Sequence, residues 1–134
     1  GATVDRLIGE ARFMRAYYYH QLLRYYGGFP IIDFPYTLDA ETFEIPRNTF
    51  EESVNFIVAD LDEAANLLIG KSAIRGRATQ AAALALKSRV LLYAASDLHD
   101  GPTATSKSSD LAAYSNLEIL AYTSGNRIER WPRN

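Results

Sequence analysis

The sequence of 134 residues contains no cysteine, which excludes disulfide frameworks, cysteine zinc ligands and cysteine nucleophiles but does not fix the redox compartment. It has no basic excess either, since 14 Lys and Arg stand against 16 Asp and Glu, a formal charge of -2. A nucleic-acid-binding protein normally carries such an excess to replace the counterions on phosphate, so we expect no nucleic-acid partner. Long apolar runs are also missing. Lys87 and Arg89 interrupt the longest one, residues 81–95, so no membrane-spanning helix is predicted.

The common catalytic motifs are absent as well. No G-x-S-x-G, Walker A or G-x-G-x-x-G pattern occurs in the sequence. Asp60, Asp62 and Glu63 lie too close together on one predicted helix to flank a substrate from opposite sides. His20 has no acidic residue three or four positions away, so we interpret it as a half-buried histidine bonded to a carbonyl group or water. We therefore expect no enzymatic activity and no cofactor.

One cluster has side chains that suit a metal ion. Asp97, His99 and Asp100 lie within four residues, just past the end of a predicted helix. The interpretation we favour is that both carboxylates are solvated turn formers and that His99 lies close to the negative end of the helix. We therefore expect no metal site, and these three residues are the candidate ligands if an ion binds.

Hydrophobic periodicity predicts three helices, over about residues 3–26, 49–69 and 79–97. The first is apolar over most of its girth, which is typical of a helix packed between neighbours, and Gly27 and Gly28 end it. The residues of its predicted buried stripe recur at steps of three and four: Val4, Leu7, Ile8, Ala11, Met14, Tyr18, Leu22 and Tyr25.

The second helix starts with a capping-box pattern, Thr49 and Glu52. Its predicted buried stripe comprises Phe50, Val54, Ile57, Leu61, Ala64, Ala65 and Leu68. The third is rich in alanine, which favours helix, and its buried line is expected at Ala82, Leu86, Val90 and Tyr93 or Ala94. Residues 27–48 and 98–110 are predicted as long loops, and no segment alternates as a strand does. The sequence thus predicts an all-α chain, a single helical-repeat segment over residues 1–134.

Three arginines lie on these largely apolar helices: Arg12, Arg15 and Arg89. A guanidinium in such surroundings needs an anionic or carbonyl partner. We expect them to pair with carboxylates such as Asp60, Asp62 or Glu10 rather than to bind substrate.

The chain also contains an internal similarity. Residues 10–14 align with residues 87–91, both with a small residue, an arginine and two apolar residues in that order. The offset is roughly twice the 34-residue length of a tetratricopeptide repeat, with room for loop insertions. It therefore fits two stacked helical hairpins.

Three ordered blocks of sequence carry a family resemblance. They are EARFMRAYYY at residues 10–19, PRNTFEESVNFIVADLDEAA at 46–65 and RATQAAALALKSRVLLYAA at 77–95, with Pro30-Ile31 between the first two. Together they resemble the helices of the SusD/RagB family, the outer-membrane nutrient-binding lipoproteins of Bacteroidetes-type bacteria. Residues 117–131 also resemble that family's lead-in to a further helix.

The resemblance implies tetratricopeptide-like helical hairpins, an α-α superhelix, within a much longer SusD-like protein. Such a protein would be lipid-anchored on the external face of the outer membrane, capture oligosaccharide or peptide, and deliver it to a TonB-dependent, SusC-like transporter. Trp131 near the chain end and the absence of a lipidated cysteine fit an internal segment. The alternatives are a stand-alone tetratricopeptide-like module for protein–protein interaction and an enzyme fragment.

Ligand contacts are expected among the aromatic residues, twelve of sixteen of which lie between Phe13 and Phe56. The tyrosines of the first helix point around its girth and suit packing. The following loop is therefore the better place for a ligand, because loops carry specificity on rigid scaffolds and sugars stack on exposed aromatic rings. The family's own glycan contacts vary between members, so none is carried over. The candidates are Phe29, Phe34, Tyr36 and Phe43, with packing on the helices or on the rest of the protein as the alternative.

Overall fold

The computed structural model describes residues 1–37, 39, 44–71 and 74–130, which form helices and connections without any strand. The predicted all-α class is confirmed. The longer helices are α1 (Ala2–Tyr26), α2 (Phe50–Leu67) and α3 (Gln80–Ala94). Short helices follow: 3-10 turns at Asp97–His99 and Leu117–Ile119, and α4 (Gly101–Lys107), α5 (Ser109–Ala113) and α6 (Arg127–Arg130). Within these ranges no helix is both long and apolar enough to cross a membrane.

Helix α2 is the centre of the packing, with α1 on one side and α3 on the other. Its predicted stripe is buried along its whole length, from Phe50 to Leu68, as expected from a helix with one clear apolar face. The predicted capping box is also confirmed. Thr49 Oγ1 accepts a hydrogen bond from the Glu52 amide at 3.1 Å, and Glu52 Oε2 accepts one from the Thr49 amide at 2.9 Å.

Helices α1 and α3 run in the same direction beside α2. The Arg77 guanidinium, just before α3, donates to Glu10 near the start of α1 at 2.8 Å. At the other end, the Tyr93 hydroxyl donates to the Arg24 carbonyl oxygen at 3.4 Å. The buried line of α3 is Ala83, Leu86, Val90 and Ala94, close to the predicted one. This is the arrangement of stacked helical hairpins.

The prediction for the buried face of α1 was wrong. The predicted stripe lies on the surface: Val4, Leu7, Ile8, Met14, Tyr18, Leu22 and Tyr25 are 41–75% exposed, and Ala11 is exposed too. The face that contacts α2 carries Gly9, Ala16, His20 and Leu23 instead. Small residues let the two backbones approach, since a Cβ on Gly9 would lie 3.0 Å from Leu67 Cβ. Within the described chain, α1 is therefore packed on one side only.

The prediction of a loop over residues 98–110 was also wrong, because α4 and the start of α5 lie there. These helices are specified by their caps rather than by an apolar stripe. The Asp100 carboxylate accepts from the Thr103 amide at 3.2 Å, and Pro102 occupies the first turn. The Ser108 hydroxyl accepts from the Leu111 amide at 3.3 Å and so starts α5.

Candidate functional site

The connection between α1 and α2 leaves α1 through two glycines. Gly27 has φ of 75°, the left-handed region that favours glycine. A Cβ on Gly28 would lie 2.1 Å from the Asn48 carbonyl oxygen, so only glycine fits between the two ends of the connection. The Gly28 amide also donates to the Ile119 carbonyl oxygen at 2.6 Å. The start of the connection is thus held tightly against the helices.

The far end of the connection folds back on the near end. The Asn48 amide donates to the Phe29 carbonyl oxygen at 3.1 Å, and its side-chain oxygen accepts from the Ile31 amide at 3.0 Å. Arg47 donates to the carbonyl oxygens of Gly28, at 2.7 Å, and Tyr26. These bonds satisfy backbone groups at the end of α1 and fix the base from which the aromatic residues project.

Phe29, one of the four predicted ligand contacts, lies in the core at 3% exposure. Its ring stacks on Tyr19 with centroids 4.5 Å apart, and Tyr19 meets the edge of Phe56 at 5.4 Å. The Tyr19 hydroxyl donates to the Ile32 carbonyl oxygen at 3.0 Å and accepts from the Ile32 amide at 3.2 Å. Phe29 and Tyr19 therefore anchor the connection to α1 and α2.

Phe34 and Tyr36 are brought together on the surface. Phe34 is 51% exposed and Tyr36 38% exposed, and their ring centroids lie 5.4 Å apart with an interplanar angle of 58°. Only Pro35 separates them, and its fixed φ stiffens the segment. We call Phe34 and Tyr36 the aromatic pair. The fourth predicted contact, Phe43, lies outside the described residues.

An ion cluster with a buried carboxylate joins α1 to α2. Asp60 of α2, 1% exposed, accepts hydrogen bonds from Arg15 at 2.6 and 2.7 Å and from Arg12 at 2.7 Å. The bond to Asp60 raises the pKa of the Arg15 guanidinium, which also lies 4.9 Å from the centre of the Phe56 ring. The expected arginine–carboxylate pairing is confirmed for Arg12 and Arg15. Arg89 has no carboxylate partner among the residues described.

Both histidines are buried, and the ring of Tyr93 lies between them. His20, 2% exposed, meets Tyr93 at 5.9 Å, and the rings of Tyr93 and His99 are 4.7 Å apart. Burial lowers the pKa of His20 to about 4, and the nearby Arg24 and Arg89 add to this. His20 was predicted to be half-buried and hydrogen-bonded, but Tyr93 of α3 packs against it and it is almost fully buried. Its Nδ1 has no hydrogen-bond partner among the residues described, so the imidazole contributes by packing.

The three candidate metal ligands, Asp97, His99 and Asp100, each interact with different partners. Asp97 pairs with Lys107 and Arg127, which lower the pKa of its carboxyl. His99 stacks on Phe50 at 4.3 Å, and its Nδ1 lies 2.8 Å from the Leu120 carbonyl oxygen.

Asp100 caps α4 and pairs with Arg130. In the part of the chain that the structure describes, no group of three or more His, Asp or Glu side chains is placed to hold a metal ion. The carboxylates of the cluster therefore act in capping and ion pairing.

Fold and site together define a helical-repeat scaffold whose first long connection presents an exposed aromatic pair. A family model described as SusD-like, starch-binding and associating with the outer membrane matches residues 2–92. The chain therefore belongs to the SusD-like family, and the resemblance found in the sequence is confirmed. No curated protein matches the chain.

Solved structures agree with this assignment. A SusD-like protein from Bacteroides fragilis is 33% identical, with a TM-score of 0.66 over 84% of this chain and 22% of its own. A structure solved with a xylogluco-oligosaccharide is 29% identical, with a TM-score of 0.66 over 87% of this chain and 25% of its own. A SusD-like carbohydrate-binding protein, also from Bacteroides fragilis, is 27% identical over 84% and 22%, with a TM-score of 0.62. The chain thus spans a quarter or less of the length of these proteins.

Proposed function

We propose that the chain is a scaffold segment of a SusD-like outer-membrane protein that binds oligosaccharide and delivers it to a TonB-dependent, SusC-like transporter. The observation that carries the proposal is the family match over residues 2–92, and a relative solved with a xylogluco-oligosaccharide supports the class of ligand. The full-length protein is proposed to be lipid-anchored on the external face of the outer membrane. Its role is binding and not catalysis.

Within the segment, Phe34 and Tyr36 are the proposed ligand contacts. Their rings are exposed, lie side by side and project from a base fixed by Asn48 and Arg47. A rigid base favours binding because little conformational entropy is lost when a sugar stacks on the rings. Phe29 is proposed to support the pair through its stack on Tyr19 rather than to touch the ligand.

The exposed apolar face of α1 supports the scaffold role. Helical repeats bury such faces against neighbouring elements, and a contiguous apolar surface on one face of a helix marks a contact with protein. The face runs from Val4 to Tyr25 and is proposed to pack against the remainder of the full-length protein or its transporter.

The ligand proposal is tested by replacing one ring of the aromatic pair. In the full-length protein, Tyr36→Ala should weaken binding of a xylogluco-oligosaccharide about tenfold, as expected from losing roughly 1–1.5 kcal/mol of aromatic contact. Isothermal titration calorimetry measures the change. Tyr114→Ala is the matched control, because Tyr114 is 39% exposed, as Tyr36 nearly is, and lies at the end of α5, outside the connection.

Unchanged affinity in Tyr36→Ala would remove this residue from the ligand site. Failure of the wild-type protein to bind any oligosaccharide would contradict the proposed function. The transporter is tested separately by purification from the native outer membrane, where a SusC-like protein should co-purify. Co-purification with an unrelated protein, together with no glycan binding, would favour the stand-alone interaction module.

A further inference from the structure

We infer that the aromatic pair selects neutral oligosaccharides over anionic ones, because the segment that carries it is acidic and lacks any basic residue. The inference rests on the proposed function and adds the class of glycan. We assign the largest share of this preference for neutral glycans to Asp33, which precedes Phe34 in the chain.

The charge of the segment is one-sided. Residues 27–46 contain four carboxylates, Asp33, Asp39, Glu41 and Glu44, and no lysine, arginine or histidine. Asp33 is exposed, and its Cα lies about 3.8 Å from that of Phe34, as in any trans peptide. It makes no hydrogen bond or ion pair with the other residues described here, and as an exposed carboxylate it contributes negative charge at the position just before the aromatic pair.

The basic residues around this segment form hydrogen bonds within the protein, which compensate their charges only in part. Arg47, the first one after it, donates to the carbonyl oxygens of Gly28 and Tyr26. Arg12 and Arg15 share the single carboxylate of Asp60, which leaves one positive charge in that cluster. Asp33 acts on this surplus charge and contributes to the raised pKa of Arg15. Arg47 has no carboxylate partner among the residues described, so its charge adds a second positive charge to the surplus. The four carboxylates in the sequence of the segment still outnumber these two positive charges.

This arrangement treats neutral and anionic sugars differently. The hydroxyl groups of a neutral sugar can donate charge-assisted hydrogen bonds to the Asp33 carboxylate. A uronate or sulfate group at the same place meets a like charge. At a separation of about 7 Å in water, Coulomb repulsion between two unit charges corresponds to roughly a threefold loss of affinity, and added salt screens it.

The test compares two glycan probes of similar length on the full-length protein at low ionic strength. A neutral xylogluco-oligosaccharide should bind more tightly than an oligogalacturonide, which carries one carboxylate per sugar. Asp33→Asn should reduce the ratio of the two affinities about threefold, and Asp33→Lys about tenfold, since it removes one charge and adds the opposite one. Glu63→Gln, an exposed carboxylate on α2, should leave the ratio unchanged.

The possible outcomes separate the inference from the proposed function. Equal or tighter binding of the oligogalacturonide by the wild-type protein would overturn the inference, as would an unchanged affinity ratio in both Asp33 variants. In either case the proposed function would stand, because glycan still binds. Failure of both probes to bind would contradict the proposed function, and the inference would fall with it. A ratio that shrinks as NaCl is raised would support the electrostatic cause.

Discussion

Because His20 is buried, the stability of the chain should depend on pH between about 6.5 and 4, a range that begins well above the pKa values of carboxylates. The imidazole is 2% exposed, and its pKa falls from 6.5 to about 4 in the folded chain. The unfolded chain therefore binds the proton more readily than the folded one. Stability is full above pH 6.5 and declines as the pH falls towards 4.

The two pKa values of His20 give the size of the effect. From 6.5 in the unfolded chain and about 4 in the folded chain, the free energy of unfolding should fall by about 2 kcal/mol at pH 5 and about 3 kcal/mol at pH 4. His99 adds to the loss in the same direction, because burial lowers its pKa too. Carboxylates with lowered pKa, such as Glu10 and Asp97, add to the loss only as the pH approaches their unfolded pKa values of 4.5 and 3.8, so the range from pH 7.5 to 5 reports mainly on the histidines.

Urea unfolding followed by circular dichroism at pH 7.5, 6 and 5 measures the effect. His20→Leu keeps an apolar side chain in the same packing but cannot titrate, so its stability should fall by about 2 kcal/mol less than that of the wild-type chain between pH 7.5 and 5. NMR titration of the His20 ring should give a midpoint close to 4. Parallel loss of stability in both chains, or a midpoint close to 6.5, would refute the reasoning.

Two further substitutions test the ion cluster between α1 and α2 and the close approach at Gly28. Asp60→Asn removes the charge that two guanidinium groups share, and it should lower the free energy of unfolding by about 3 kcal/mol in urea titrations. Asp62→Asn is the control, because its carboxylate is 47% exposed, and it should change the free energy of unfolding by less than about 1 kcal/mol. Similar losses of stability in Asp60→Asn and Asp62→Asn would contradict the account. Gly28→Ala should lower the melting temperature, with a cost of about 2 kcal/mol, because its Cβ would overlap the Asn48 carbonyl. Gly1→Ala meets nothing within 4 Å and is the control; equal melting temperatures would refute the close approach.

How much of the fold could be predicted depends on how many faces of a helix are apolar. Helix α2 has a single apolar stripe, so its buried residues were predicted correctly. Helix α1 is apolar on two faces, and periodicity alone does not tell which of them a neighbour covers. Gly9 and Ala16 mark the buried face, because small residues permit close backbone approach, but this signal is weaker than a row of large apolar side chains.

The candidate site could be predicted only in outline. The sequence identifies an aromatic loop, and the structure divides its residues into a buried anchor, Phe29, and an exposed pair, Phe34 and Tyr36. That division depends on the stack with Tyr19 and on the close approach of Gly28 to Asn48. Both contacts join segments distant in sequence, which local pattern does not specify. The helix over residues 101–107 was missed because its cap, Asp100, resembles an ordinary turn residue.

The central claim is that this segment presents a glycan contact on a helical scaffold. A crystal structure of the full-length protein with a neutral xylogluco-oligosaccharide tests it most directly. The account predicts a sugar ring within about 4 Å of the Phe34 or Tyr36 ring, with Phe29 buried beneath. A sugar bound elsewhere, with both rings covered by other parts of the protein, would contradict it.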